Sequence, residues 1–390
     1  MTLRTFVLSV AIFAAASPLP AQSEPYTVYD TRPVILEGPY LVATGEQTAT
    51  IVWFTDTPSH AKVLYGVNGE LNRVAEPQVN GFVPVGTRHV VFLENLTPGT
   101  TYGYEVVATR VVRLNAYWPE KGMDARSGPY EFTTLDRNDP SVSFSLVTDT
   151  HEDTRLIDSL NQLIAWDSTD FLVHAGDAFH WLDTEEHVFR AWLRPTLAGI
   201  SHTKPLIFAR GNHEMRGPFA RYLSDYVPTP EGRFYYARDA GPVHLIVLDT
   251  GEDKPDDTNV YARLNRTVPY RAAELEWFKE HVETDERVAG APFRVIVMHN
   301  PGWGWLVDGP DKWIETANTA GVDLVIAGHY HRFLYTPPGP DVDHSYHLVV
   351  VGKEQIARVN ATTDELSVIV TGLDGAVVHT LTIPRRSTHR

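Results

Sequence analysis

The chain has 390 residues, more than one average domain, and 43% of them are apolar, enough for two sizeable cores. Its formal net charge of −16 argues against a nucleic-acid polymer as partner, because binders of the phosphate backbone present basic surfaces. It holds no cysteine, which excludes disulfides, cysteine-ligated zinc, iron–sulfur clusters and thiol nucleophiles.

Residues 1–22 are expected to be a secretory signal peptide. Arg4 supplies a positive start, Thr5 to Ala16 is apolar, and small residues follow to Ala21. An uncleaved anchor or a buried strand are the alternatives. No other stretch is long and apolar enough to cross a membrane, so no span is expected in the mature chain, which is placed as secreted or periplasmic. Residues 23–136 read as an all-β sandwich domain. TATIVWFTD, AKVLYGV, RHVVFLENL, TYGYEVVA and PYEFTTL are strand-like and are separated by Gly, Pro and Asn turns. Leu93 to Ala108, LENLTPGTTYGYEVVA, resembles the fibronectin type III pattern. The polar stretch LDRNDP (Leu135 to Pro140) reads as the linker.

Residues 137–390 change texture. Apolar runs at Val142–Val147, Phe171–Val173, Leu206–Phe208, Val243–Leu248, Phe293–Met298 and Leu324–Ala327 alternate with helical stretches. Leu156, Ile157, Leu160, Leu163 and Ile164 share one helical face, as do Leu275, Phe278 and Val282. The pattern predicts an α/β domain with a largely parallel sheet covered on both sides. The tail from Tyr346 to Ile383 predicts an antiparallel second sheet.

Five of these six runs end in metal-ligand chemistry: Asp149-Thr-His151, Gly176-Asp177, Gly211-Asn212-His213-Glu214, His299-Asn300 and Gly328-His329-Tyr-His331. In open α/β sheets the ligand crevice lies beyond the carboxyl ends of the strands, so these stretches converge. Carboxylates and an amide oxygen are hard donors, and imidazole suits zinc, iron and manganese. Seven donors are too many for one tetrahedral ion with an open position; they suit two ions that share a carboxylate. Glycine before Asp177, Asn212 and His329 permits a tight turn. His329 and His331, on an extended strand end, would face the same way and serve neighbouring ions. Singly, each residue has a plainer reading, a helix cap for Asp149 or Asp177 and a structural role for any one histidine.

DTH, GD, GNHE, MH and GHYH in this order resemble the calcineurin-like metallophosphoesterases, from about Ser141 onward. A β-sandwich placed before that domain resembles the purple acid phosphatases. The resemblance implies a four-layer αββα sandwich and a binuclear centre. It implies Asp149, His151 and His331 on the first metal, Asp177 as bridge, and Asn212, His299 and His329 on the second. It implies that His213 binds no metal and faces substrate. The cofactors would be two divalent metal ions, Zn, Mn or Fe. The chain departs from the purple phosphatases at His151, where they have Gly, and at His180, where they have the tyrosine that colours them. No purple band is therefore expected.

The implied activity is hydrolysis of a small phosphorylated substrate by hydroxide shared between the ions, the chain's own negative charge being no obstacle because bound cations dominate the local field. Phosphate monoesters are favoured by the leading sandwich; phosphodiesters, such as cyclic nucleotides or glycerophosphodiesters, are the alternative, favoured by His151. A non-enzymatic binding protein that uses its β-sandwich is the third reading. Arg216, Arg221 and His180 are candidate substrate contacts, with a surface or ion-pair role as the alternative for each arginine. Glu214 either orients His213 or a ligand, or starts a helix. The loops Phe179–Trp181, Met215–Tyr222 and Tyr235–Tyr236 are further candidates, and Trp303 and Trp305 either line the pocket or pack in the core. The oligomeric state is left open.

Overall fold

The computed structural model of the chain describes residues 27–200, 202–304 and 309–386. The proposed signal peptide and Trp305 lie outside the described residues. The first six strands are β1 (Ile35–Val42), β2 (Ala49–Gly66), β3 (Arg73–Ala75), β4 (Gly86–Leu93), β5 (Thr101–Arg113) and β6 (Glu120–Thr133). The first part of β2 pairs with β1 and β4, and its last part with β3 and β5. Alternation along β2 turns Ile51 and Trp53 from one part, and Ala61, Val63 and Tyr65 from the other, into a single core with Tyr104, Val106 and Phe132.

β7 (Ser141–Val147), β8 (Phe171–His174) and β9 (Leu206–Phe208) are parallel neighbours. β16 (Gln355–Thr362) pairs antiparallel with β7, and β17 (Glu365–Gly372) and β18 (Val377–Pro384) continue outward. On the other flank Val42 of β1 pairs with Leu206 of β9, which joins the leading strands to this sheet. The second sheet runs β10 (Tyr236–Ala240), β11 (Val243–Val247), β12 (Phe293–Val297), β13 (Leu324–Ala327), β15 (His347–Val350), β14 (Leu334–Thr336).

The two sheets pack face to face. Phe144 and Leu146 share a core with Leu245, Val247, Val295, Val297, Leu324 and Ile326. The alternate residues of the second sheet, Ile246, Ile296 and Val325, face outward onto Phe278 of α4 (Thr267–Thr284) and Trp313 and Ile314 of α6 (Asp311–Thr319). Buried residues of α1 (Thr154–Leu163) and α3 (Arg194–Ile200) belong to the first core, α1 touching β16 and α3 touching β1. The result is a four-layer αββα domain preceded by a β region. α2 (Glu185–Val188) and α5 (Glu286–Gly290) are single turns.

Two sequence expectations are corrected here. The parallel strands form two sheets rather than one, and the tail is divided, with β15 in the second sheet and β16–β18 in the first. Strands buried on both faces read alike whichever sheet they enter, so hydrophobic pattern alone does not sort them.

The leading strands are sealed to the second region by shared packing. Tyr40, Val42, Val52 and Phe54 belong to the core of the αββα domain. Phe54 stacks on Tyr226 at 5.2 Å, the Tyr40 hydroxyl donates to Tyr226 O at 2.6 Å, and the Tyr104 hydroxyl to His202 O at 2.6 Å.

Candidate metal centre

Each ligand candidate sits in the turn that follows a strand: Asp149 and His151 after β7, Asp177 after β8, Asn212 after β9, His299 after β12, and His329 and His331 after β13. Five of them hold left-handed backbone: Asp149 (φ 55°), His151 (44°), Asp177 (53°), His329 (73°) and His331 (55°). Such backbone is costly outside glycine and persists where its surroundings over-determine it. Here cross-loop amides do so: Asp149 N donates to Gly176 O at 3.0 Å, His151 N to Asp177 O at 3.0 Å and Gly328 N to His299 O at 2.9 Å. The sequence-level picture of the last histidine pair is therefore corrected. β13 ends at Ala327, and His329 and His331 project from a left-handed turn, not from an extended strand end.

Close approach is achieved by omission of side chains. A Cβ on Gly211 would lie 2.3 Å from Asp177 Oδ1, and one on Gly328 would lie 2.0 Å from Thr148 Oγ1 and 2.6 Å from Asp149 Oδ2.

Three groups of donor atoms lie within 4.8 Å of one another: Asp149, His151, Asp177 and His331; Asp177, His299 and His329; and His151, His180 and His213. Asp177 is common to the first two, which contain the ligand candidates, and the third adds only His180 and His213 to His151. Asp177 Oδ2 lies 3.1 Å from His299 Nε2 and 3.8 Å from His151 Nε2. His151 Nε2 and His331 Nε2 are 3.0 Å apart, and His331 Nε2 is 3.1 Å from Asp149 Oδ1. His329 Nδ1 faces His299 Nε2 at 3.3 Å. Asn212 follows Gly211 and is buried.

Two observations test whether these residues fit cations. Asn212 Oδ1 is a buried oxygen with no hydrogen-bond partner, a loss of about 1–3 kcal/mol unless something else satisfies it, and the buried Asp149 Oδ1 faces histidine rings, His331 at 3.1 Å and His151 at 4.0 Å. His151 Nδ1 and His299 Nδ1 donate to Phe179 O (3.1 Å) and Ala175 O (2.7 Å), which orients each ring with Nε2 turned inward. The donor set fits a pair of divalent ions. The field agrees: burial opposes charge on His299, yet Asp177 and then Asp149 raise it to about 9, so the carboxylates favour positive charge at this place. Burial lowers His151 to about 4, and Asp177 only partly opposes it, so its ring is a neutral donor.

His213 stands beside the centre. Its backbone N donates to Asp177 Oδ1 at 3.1 Å, its Nδ1 to His180 O at 2.8 Å, and its Nε2 accepts from Arg216 Nη1 at 2.9 Å. Arg216 in turn grips Glu252 through Nε (3.1 Å) and Nη2 (2.8 Å), and reaches Asp253 at 3.2 Å. The His180 ring stacks on His151 at 4.7 Å. Glu214 is buried, and its carboxylate accepts from the amides of Gly211 (2.8 Å), Asp177 (2.8 Å), Ala178 (2.7 Å) and Phe179 (3.2 Å). It thus ties the Asp177 turn to the Asn212 turn and makes no contact with the His213 ring.

Of the aromatic candidates, Phe179, Tyr235, Tyr236 and Trp303 are buried in the interior, with Trp303 packed near Trp313 at 5.9 Å; Trp181 is half exposed. Glu252 was not singled out from sequence, and Asn300 appeared only beside His299 at a strand end, without a role. Asn300 Nδ2 lies 3.2 Å from His329 Nε2. Glu252 follows β11, the one apolar run whose end offered no ligand pattern, and an acid just past a strand end was the available signal.

Residues 143–333 match the family model described as calcineurin-like phosphoesterase. No curated protein matches the chain. Among solved structures, a purple acid phosphatase from yellow lupin (Lupinus luteus) seeds is 16% identical, with a TM-score of 0.62 over 90% of this chain and 74% of that one. PhoD is 10% identical, with a TM-score of 0.55 over 90% of this chain and 92% of that one. No described helix is long and apolar enough to cross a membrane. Residues 143–333 thus form a calcineurin-like metallophosphoesterase domain, in a chain whose fold is that of the purple acid phosphatase and of PhoD.

Proposed function

We propose that this chain is a secreted phosphomonoesterase with two divalent cations, Zn, Mn or Fe. The first is held by Asp149, His151 and His331, the second by Asn212, His299 and His329, and Asp177 is shared. The observation that carries the reading is Asp177, common to two donor sets, beside an Asn212 oxygen that is buried and unpaired. Bound there, the cations would supply Lewis-acid charge and an activated water. The chain's own residues do the rest. The Nδ1 proton of His213 is fixed on His180 O, so Nε2 is the working atom; once substrate draws the Arg216 guanidinium away from it, Nε2 is free to carry a proton to the leaving oxygen. Arg216, clamped by Glu252, brings positive charge beside that atom and favours a substrate with more than one negative charge. The fold, shared over most of the chain with a purple acid phosphatase, supports the monoester reading.

His151 beside Asp149 in the first donor set favours the second reading, a phosphodiesterase. The test compares hydrolysis of p-nitrophenyl phosphate with that of bis(p-nitrophenyl) phosphate, alongside metal content. The monoester is expected to be turned over faster, by protein with two transition metal ions per chain. A faster diester transfers the assignment to the second reading, and purified protein that neither holds nor regains metal rejects both.

A further inference from the structure

A cleft of about 680 Å³ lies on the leading β region, bounded by strands β2, β5 and β6 and the segment before β1, and shares no residue with the metal centre. Its wall includes Arg32, Lys62, Lys121 and Arg126 against a single acid, Asp124. In a chain of net charge −16 this is a local reversal of sign.

Register explains how the cations meet. Lys62 of β2 pairs with Val107 of β5, which pairs with Arg126 of β6, so the three side chains share one face and the two cations flank a short valine. The next row holds His60, Thr109 and Asp124. Tyr29 N donates to Lys121 O and Met123 N to Thr31 O, which brings Arg32 alongside. Asp124 is already engaged, accepting from Thr109 Oγ1 at 2.6 Å with Arg126 Nη2 at 3.6 Å, and Arg126 also pairs with Glu105 at 3.2 Å. None of the ion pairs among the described residues engages Arg32 or Lys62. His60 Nε2 is buried on the same wall with no hydrogen-bond partner. Like charges that face one another across a cleft repel, and an anion between them removes the repulsion.

We propose that this cleft is an anion site that takes a small oxyanion of two or more negative charges, phosphate being the simplest, held by Arg32, Lys62 and Arg126 with the His60 ring as an added donor. The site stands whether or not the esterase reading does.

Equilibrium dialysis of metal-loaded protein against radiolabelled inorganic phosphate tests it. The wild type is expected to show two classes of site, one of them at the metal centre. The double variant Arg32→Gln/Lys62→Gln is expected to weaken the other class at least tenfold, with p-nitrophenyl phosphate hydrolysis within about twofold of wild type. Should the double variant fold poorly, Arg126→Gln alone, a change at an exposed position, is expected to weaken the same class at least threefold. A wild type whose every class of site the variants retain at full affinity overturns the proposal; a single class that the double variant weakens supports it and removes phosphate binding from the metal centre instead.

Discussion

At the scale of single residues, His213 is expected to be separable from the proposed metal ligands. Its backbone N bonds Asp177 Oδ1, its Nε2 lies 3.9 Å from Asp177 Oδ2, and its ring nitrogens are hydrogen-bonded to His180 and Arg216. His213→Ala is expected to retain both ions by elemental analysis while turnover falls roughly 10²–10⁴-fold, the usual contribution of a positioned proton donor. Loss of metal from that variant would place His213 among the ligands. A different histidine sets part of the acid stability. His89 is held neutral, burial lowering it from 6.5 to about 4, with Thr55 Oγ1 at 2.9 Å. The unfolded chain protonates this ring below 6.5 and the folded chain does not until about 4, so the unfolded state binds more protons in that window. Stability is therefore full above 6.5 and falls on acidification. About 2 kcal/mol of loss between pH 7 and 5 belongs to this ring, each pKa unit being worth about 1.4 kcal/mol. Urea midpoints measured across that range should flatten in His89→Gln; an unchanged slope would remove His89 from the account.

At the scale of elements, the strand ends decide the site, and sequence disclosed their chemistry better than their shape. The residue types after five apolar runs were readable because carboxylate, amide and imidazole at successive strand ends have few other reasons to recur. Their left-handed backbone was not readable. Asp and His visit that conformation without any local signal, and only the amides of neighbouring turns hold them there. The grouping of strands into two sheets came from the family resemblance, not from hydrophobic pattern, since β8 and β12 are both apolar. Glu214 and Glu252 illustrate the remainder. One proved to gather backbone amides and the other to hold an arginine, roles that depend on what lies across the fold. Gly328 tests the element scale directly. With Thr148 Oγ1 at 2.0 Å from the added carbon, Gly328→Ala forces β13 and β7 apart. A loss of about 1–3 kcal/mol is expected, as for overpacking generally, together with reduced metal content. Wild-type melting and stoichiometry in this variant would show that the turn has slack.

At the scale of the whole molecule, the leading β region and the αββα domain are not beads on a linker. Tyr40, Val42 and Phe54 lie in the second region's core, and β1 is in register with β9. Calorimetry is expected to give one cooperative transition, with calorimetric and van't Hoff enthalpies in agreement. Two resolved peaks would mean that the shared packing carries little energy. The texture change near Pro140 was visible in sequence; the sealing of the two regions was not, because it rests on side chains such as Phe54 that an alternating strand would show whether it met a neighbour or only its own sheet.

The cross-loop amide bonds around Asp149, His151 and Asp177 involve protein atoms alone. The cage is therefore expected to be set during folding and not by its cargo. Dialysis against a chelator should strip activity while leaving the far-ultraviolet spectrum intact, and adding back zinc or manganese should restore turnover within minutes without any refolding step. A protein that must be unfolded and renatured before it accepts ions would instead be one whose guests shape their own berth.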